Sequence, residues 1–143
     1  MIAEKFHGQL MSTLRCMSCG HTAASCDAIQ TVALPIPSVS GGGSGVGDGG
    51  VTPATLGDCL RLFSAPEEVR GDDAWNCPKC KEYQAATKQV AMCRVPTVLV
   101  VQLKRFRFSK EGLRTKIEDE IRIPALLDVA PFLAGKSSWY RVI

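Results

Sequence analysis

The sequence predicts an α+β protein in which antiparallel strands dominate and one short helix accompanies them. Stretches of β-branched or alternating apolar residues recur along the chain, the clearest being TVLVVQLKRFRF, whereas TLGDCLRLF places apolar residues at helical spacing. The 143 residues are 45% hydrophobic and 22% charged, which favours one domain, or a large part of one, with a buried core.

The N-terminal third is predicted to contain strands followed by an insertion. Residues 6–37 should be extended on both sides of a turn at RCMSCGH, until Pro35 and Pro37 interrupt the alternation of IQTVALPIP. Residues 38–50, SVSGGGSGVGDGG, are mainly glycine and serine without a hydrophobic period, so we expect a flexible insertion there.

The short helix is predicted over residues 55–63. Thr55 can cap its first turn, Asp58 suits the positive end of the helix dipole, and Pro66 stops the helix. The apolar residues that share one face are Leu56, Cys59, Leu60 and Phe63.

The C-terminal half is predicted to be strand-rich. Residues 85–93 form one strand, and TVLVVQLKRFRF forms another whose first half is apolar on both faces, as in a central strand. Its second half alternates, with Phe106 and Phe108 toward the core and Arg105 and Arg107 in solvent. Residues 117–123 alternate again before Pro124, and WYRVI begins a further strand.

Two C-x-x-C pairs predict a metal centre. Seven cysteines is an odd and high number, and in a cytosolic chain such pairs favour metal over disulfides. Cys16, Cys19, Cys77 and Cys80 would give one Zn²⁺ four thiolates, a closed and therefore structural site that joins two distant hairpins. The alternative is that one pair has degraded and all four are ordinary thiols.

The remaining polar and aromatic groups have simpler interpretations. His21, just past the first pair, is expected to face solvent, and Trp75 to pack against the zinc loop. Cys59 and Cys93 are interpreted as buried core thiols, while Cys26 beside Asp27 is the least certain of the three.

Charge and hydropathy exclude several classes of protein. A net charge of +3 is too mild to indicate nucleic-acid binding by itself. The N-terminus lacks the pattern of a secretory signal, and the longest apolar stretch is too short to span a bilayer. We therefore expect a soluble protein of the cytoplasm, the nucleus or both.

The order of motifs resembles the ubiquitin-specific protease family from Phe6 to the end of the chain. The most specific pieces are LKRF at residues 103–106, CP-x-CK after Trp75 and PEE at residues 66–68. The resemblance implies fingers and part of the palm of a papain-like cysteine peptidase domain over residues 1–143, with residues 38–50 inserted. It also implies a zinc site at the fingertips and ubiquitin or ubiquitinated proteins as partners.

The same resemblance implies a tail-binding region. Phe106 and Phe108 would lie near the channel that takes the ubiquitin C-terminus and would contact ubiquitin, and residues 109–115 would form a blocking loop. No GNTCY-like box precedes Phe6, and the two histidines of the chain, His7 and His21, do not match the family's catalytic histidine. We therefore expect this chain alone to be inactive, although the family is one of deubiquitinases.

Two alternatives stay open. The chain can be a non-catalytic ubiquitin-binding or scaffold module. Less favoured is a zinc-ribbon nucleic-acid binder that stacks bases on the aromatic residues of the basic stretch LKRFRF.

Overall fold

The computed structural model describes residues 2–37, 53–108 and 112–134. The predicted insertion at residues 38–50 and the predicted WYRVI strand lie outside these ranges, as does part of the predicted blocking loop. The first strands are β1 (Gly8–Cys16), β2 (Thr22–Ile29), β3 (Thr31–Pro35) and β4 (Ala54–Thr55), followed by the helix α1 (Leu56–Ser64). The later strands are β5 (Glu67–Val69), β6 (Trp75–Cys77), β7 (Glu82–Gln84), β8 (Ala86–Arg94), β9 (Val100–Lys104), β10 (Phe106–Phe108), β11 (Arg114–Lys116) and β12 (Ile121–Arg122). Short 3₁₀ helices are Ile2–Phe6, Gly71–Asp73 and Ala130–Phe132.

The main sheet is antiparallel and has the strand order β2-β1-β8-β5. β1 pairs with β2 from Gly8 opposite Ile29 to Arg15 opposite Thr22, and with β8 on its other side. The hairpin predicted within residues 6–37 and the strand predicted at residues 85–93 are therefore confirmed.

The remaining strands form two-stranded pairs. β6–β7 and β10–β11 are antiparallel, whereas β3–β9 and β4–β12 are parallel. The predicted class, mainly antiparallel β with one short helix, is confirmed. Among the described residues no helix is long and apolar enough to cross a membrane.

The helix begins with a capping box. The Asp58 N–H donates to Thr55 Oγ1 at 3.2 Å, and the Thr55 N–H and hydroxyl both donate to Asp58 Oδ2, at 2.8 and 2.7 Å. Arg61 also contacts the Asp58 carboxylate. Hydrogen bonds from the Thr55 hydroxyl and backbone, with the nearby Arg61 charge, hold the pKa of Asp58 below its usual value.

We expect Thr55→Ala to lower the free energy of unfolding by about 1 kcal/mol, the usual cost of losing an N-cap. Because the folded pKa of Asp58 lies below the unfolded value, its stabilising contribution is present above about pH 4 and is lost as the pH falls through the folded pKa. Thr55→Ala should therefore also flatten the loss of stability toward acid. Urea unfolding at neutral and acidic pH measures both effects. Thr55→Ser keeps the hydroxyl, and equal destabilisation of both variants would contradict the capping argument.

The hydrophobic core lies between α1, β3 and the segments that follow β11. Leu34 of β3 and Leu60 of α1 are completely buried and belong to one cluster. The other buried members are Val32, Ile36, Leu56, Cys59, Met92, Ile117, Ile121, Val129 and Phe132. The helical face predicted from spacing is thus the one that packs, and Cys59 is a buried thiol as expected.

The prediction of one long strand over TVLVVQLKRFRF is wrong in two respects. The Arg105 N–H donates to the Leu103 carbonyl at 2.9 Å, a tight turn that separates β9 from β10. Among the described residues β9 pairs only with β3, and Val100 is 39% exposed, so β9 is not apolar and buried on both faces there.

The single strand predicted over residues 117–123 is also wrong. Ile117 and Ile121 are buried in the core, but only Ile121–Arg122 of this segment is strand, and Ile123 is 69% exposed. Arg105 explains part of the interruption, since its guanidinium donates to the carbonyls of Ile117 and Asp119 at 3.4 and 3.0 Å. The backbone groups of this segment are therefore partly satisfied by a side chain and not by a neighbouring strand.

Candidate metal centre

The two C-x-x-C turns have the same backbone design. In the first turn the Gly20 N–H donates to the Cys16 carbonyl at 3.1 Å, and in the second the Lys81 N–H donates to the Cys77 carbonyl at 2.8 Å. Gly20 has φ 69° and Lys81 has φ 60°, so each turn is followed by a residue in the left-handed region. Each turn therefore directs its two cysteine side chains toward the same side.

The turns face each other and bring four sulfur atoms together. The four Sγ atoms of Cys16, Cys19, Cys77 and Cys80 all lie within 4.8 Å of one another. Cys19 and Cys77, 58 positions apart in sequence, have their Sγ atoms 3.7 Å apart, and those of Cys16 and Cys80 are 4.0 Å apart. The cluster joins the β1–β2 hairpin to the β6–β7 hairpin, as the spacing predicted.

The thiols of Cys16 and Cys80 have very different pKa values. The backbone N–H of Cys19 lowers the pKa of Cys16 to about 7, whereas the side-chain hydrogen bond with Cys19, with burial and further bonds to the other thiols, raises the pKa of Cys80 to about 12. At neutral pH the Cys16 thiol is therefore partly ionised, whereas the Cys80 thiol keeps its proton. A cation bound at the centre would lower the pKa of all four thiols, because it stabilises the thiolate form of each.

The geometry of the cluster fits a tetrahedral Zn²⁺. Zinc–sulfur bonds of about 2.3 Å at tetrahedral angles place neighbouring sulfurs about 3.8 Å apart. The distances of 3.7 and 4.0 Å bracket that value. Cys16 and Cys77 are buried and Cys19 and Cys80 half-buried, so the four thiols can hold a metal ion at the tip of the two hairpins.

The environment of His21 differs from the one expected from the sequence. It is half-buried, and its ring stacks on Trp75 with centroids 6.1 Å apart and planes inclined by 7°. This stacked pair links the residue after the first turn to the first residue of β6. The expectation that Trp75 packs on the cysteine turns agrees with this contact, but the expectation that His21 faces solvent is wrong.

The two phenylalanines predicted to contact ubiquitin lie on an exposed hairpin. Phe106 and Phe108 in β10 are 47% and 71% exposed, so the expectation that they face the core is wrong. The Arg114 guanidinium carbon lies 3.8 Å from the centroid of the Phe106 ring, a cation–π contact across β10 and β11. Arg107 is exposed as predicted, whereas Arg105 is half-buried.

Two other cysteines form a feature that sequence reasoning missed. Cys93 is exposed, which makes its interpretation as a core thiol wrong, and its Sγ lies 3.9 Å from that of exposed Cys26. The two residues are 67 positions apart, and no local pattern could have paired them.

The fold and the cluster define an α+β domain whose two hairpins meet at four thiols that can hold a metal ion. The family model of ubiquitin carboxyl-terminal hydrolase matches residues 1–140. The chain therefore belongs to the ubiquitin carboxyl-terminal hydrolase family, and the resemblance to ubiquitin-specific proteases drawn from its motifs is confirmed.

Curated relatives are similar over nearly the whole chain. Ubiquitin carboxyl-terminal hydrolase 4 of Saccharomyces cerevisiae (strain YJM789) is 35% identical over 135 residues, which cover 94% of this chain and 13% of that protein. The probable ubiquitin carboxyl-terminal hydrolase 4 of Schizosaccharomyces pombe is 34% identical over 92% of this chain and 21% of its own length. Human ubiquitin carboxyl-terminal hydrolase 19 is 45% identical over 83 residues, 57% of this chain and 6% of its own. The chain thus spans a small part of these relatives.

Solved structures with a similar fold belong to a DUB module. A chain of the SAGA Ubp8/Sgf11/Sus1/Sgf73 DUB module bound to ubiquitin aldehyde matches with a TM-score of 0.70 and 28% identity, over 90% of this chain and 25% of that one. A chain of the same module with Ubp8(C146A), bound to monoubiquitin, matches with a TM-score of 0.72 and 28% identity, over 92% and 26%.

Proposed function

We propose that this chain is the ubiquitin-holding part of a ubiquitin-specific cysteine protease, the fingers and part of the palm of its catalytic domain. The observation that carries the proposal is the 28% identity to chains of DUB modules bound to ubiquitin, together with the family membership. The complete protein would hydrolyse the isopeptide bond at the ubiquitin C-terminus. The nucleophile and base would come from outside these 143 residues.

The metal centre would give this part its shape. One Zn²⁺ on the four thiolates would hold the β1–β2 and β6–β7 hairpins together as a fingertip. A site with four protein ligands has no open position for substrate, so the ion would be structural. Such a thiolate centre suits the reducing conditions of the cytoplasm and nucleus, where we expect the protein.

The β10–β11 hairpin supplies a surface suited to a protein ligand. Phe106 and Phe108 present aromatic rings to solvent beside the Arg114 guanidinium. Aromatic and arginine side chains are enriched among the residues that dominate binding energy at protein interfaces. We therefore place part of the ubiquitin contact, near its C-terminal tail, on this hairpin.

A binding experiment tests this function. The zinc-loaded chain should bind ubiquitin weakly, and F106A/F108A should weaken binding about tenfold or more, as the loss of interface anchors does. Isothermal titration or NMR titration with ¹⁵N-ubiquitin measures the affinity. Leu126→Ala is a matched control, because Leu126 is 70% exposed, as much as Phe108, but lies on a different segment. Equal affinities of F106A/F108A and wild type would refute the assignment of this hairpin.

A ubiquitin-based activity probe tests the expected inactivity of the chain alone. We expect no covalent adduct, since neither His7 nor His21 matches the family's base. Covalent labelling would show that a nucleophile is present after all. An oligonucleotide titration distinguishes the nucleic-acid alternative, which requires salt-dependent binding without affinity for ubiquitin.

A further inference from the structure

Two exposed thiols outside the four-thiol centre lie next to each other. Cys26 belongs to β2 and Cys93 to β8, the two strands that flank β1 in the main sheet. Their Sγ atoms are 3.9 Å apart, and the Cys93 thiol also donates to the Gln9 carbonyl oxygen at 3.4 Å. The pair is unrelated to the metal centre, from which it is about 20 Å away along β8 at the usual rise per residue.

An irregularity in the sheet explains how the thiols meet. β1 pairs with β8 through Leu10 opposite Met92 and Gln9 opposite Arg94, so the register shifts at this point and Cys93 is the extra residue. A β-bulge of this kind bends the strand and re-aims a side chain. The Cys93 side chain thereby reaches across β1 toward Cys26.

The separation suits an atom between the sulfurs better than a bond between them. The Cys26–Cys93 distance of 3.9 Å lies between the sulfur–sulfur distances of the four-thiol cluster, which are 3.7 and 4.0 Å. A disulfide needs sulfurs about 2.05 Å apart and Cα atoms within about 7 Å. Because β1 lies between β2 and β8, their backbones are about two strand spacings, or roughly 9.6 Å, apart. A disulfide would require these strands to move, whereas a bridging ion would not.

Without a bound cation the Cys93 thiol keeps its proton at neutral pH. Partial desolvation, followed by the hydrogen bond with Cys26 and its charge, raises the pKa of Cys93, so two neighbouring thiolates form only when a cation lies between them. In the part of the chain that the structure describes, no third cysteine, histidine or carboxylate joins this pair as a ligand, since the only such group of three or more is the four-thiol cluster. Two soft ligands without a third favour a soft ion that accepts a low coordination number.

We propose that Cys26 and Cys93 form a second, surface metal site that takes one monovalent copper ion as a bis-thiolate complex. Binding would form two Cu–S bonds and release two thiol protons, with no change in the oxidation state of sulfur or copper. The site is independent of the proposed ubiquitin function, because it uses neither the zinc centre nor the β10–β11 hairpin.

Copper titration of the zinc-loaded chain tests the site. The titration is done anaerobically with Cu⁺ held by the chromophoric competitor bicinchoninate, and zinc content is measured in parallel. Wild type should take up one more equivalent of Cu⁺ than C26S or C93S. Each single substitution should weaken binding at this site at least about 100-fold, because one thiolate loses the chelate advantage. In wild type, bound Cu⁺ should also protect Cys26 and Cys93 from alkylation, as read by peptide mass spectrometry.

A relocated thiol provides the control. S25C/C26S keeps seven cysteines but places one on the opposite face of β2, since successive strand residues point to opposite sides. It should behave as C26S, with an unchanged zinc content to show that the fold is intact. Equal copper uptake by wild type, C26S and C93S would overturn the proposal. So would wild-type uptake by S25C/C26S, or copper that protects only the four cysteines of the zinc centre.

Discussion

Cys77→Ser is expected to abolish stable zinc binding and to unfold the tip of the two hairpins. Cys77 is completely buried, and its Sγ lies 3.7 Å from that of Cys19, so the substitution removes a central ligand. Changes to groups outside the ligand shell already cost 10- to 100-fold in metal affinity, and loss of a ligand should exceed about 100-fold. Because binding of a structural zinc is coupled to folding, the β6–β7 hairpin should lose its structure with the ion.

Metal analysis and amide hydrogen exchange measure the two effects. Wild type should retain about one equivalent of zinc after gel filtration and show slow exchange in β6 and β7, while Cys77→Ser should retain little zinc and exchange rapidly there. Ser18→Ala is the matched control, since Ser18 is an exposed non-ligand in the first turn. Far less than one equivalent in freshly reduced wild type would refute the zinc assignment.

Leu60→Ala should cause a large loss of stability, because it truncates a completely buried core residue. Leu60 has no exposed surface and packs in the cluster that joins α1 to β3. Truncation of a fully buried leucine leaves a cavity and costs about 2–5 kcal/mol. Alanine is the best helix former, so this cost would come from packing and not from helix propensity.

Leu62→Ala, two positions along the same helix, separates packing from local effects. Leu62 is 45% exposed, and its truncation should change the free energy of unfolding by less than about 0.5 kcal/mol. Urea denaturation of the zinc-loaded variants gives both values. Similar losses for Leu60→Ala and Leu62→Ala would contradict the position of the core.

Features that depend on residues close in sequence were predictable. The helix follows from the spacing of its apolar residues and from its Thr55 cap, and it begins at Leu56, one position later than predicted, with Thr55 as the N-cap. Each half of the four-thiol cluster follows from a C-x-x-C spacing. These patterns determine local geometry, and the rest of the fold only has to bring two rigid turns together.

Features that depend on distant residues were not predictable. Nothing in LKRFRF reveals that the Arg105 guanidinium turns to the carbonyls of Ile117 and Asp119, or that both aromatic side chains of β10 are left exposed. The bulge at Cys93 depends on the register with β1, which is set by the pairing of whole strands. Alternation of apolar and polar residues indicates that the two faces of a strand differ, but it does not tell which face packs against another element.

The four-thiol cluster has a consequence for how this chain tolerates changes in length. It brings Cys19 next to Cys77 across 58 positions, and residues 38–50 lie within that interval. The entropy of closing a loop grows only with the logarithm of its length, so even a doubling of the interval costs about 0.6 kcal/mol. We expect related chains to vary freely in length between the two cysteine pairs and hardly at all within them. The four-thiol cluster thus divides the sequence into an interval whose length can change and two short turns whose geometry must be kept.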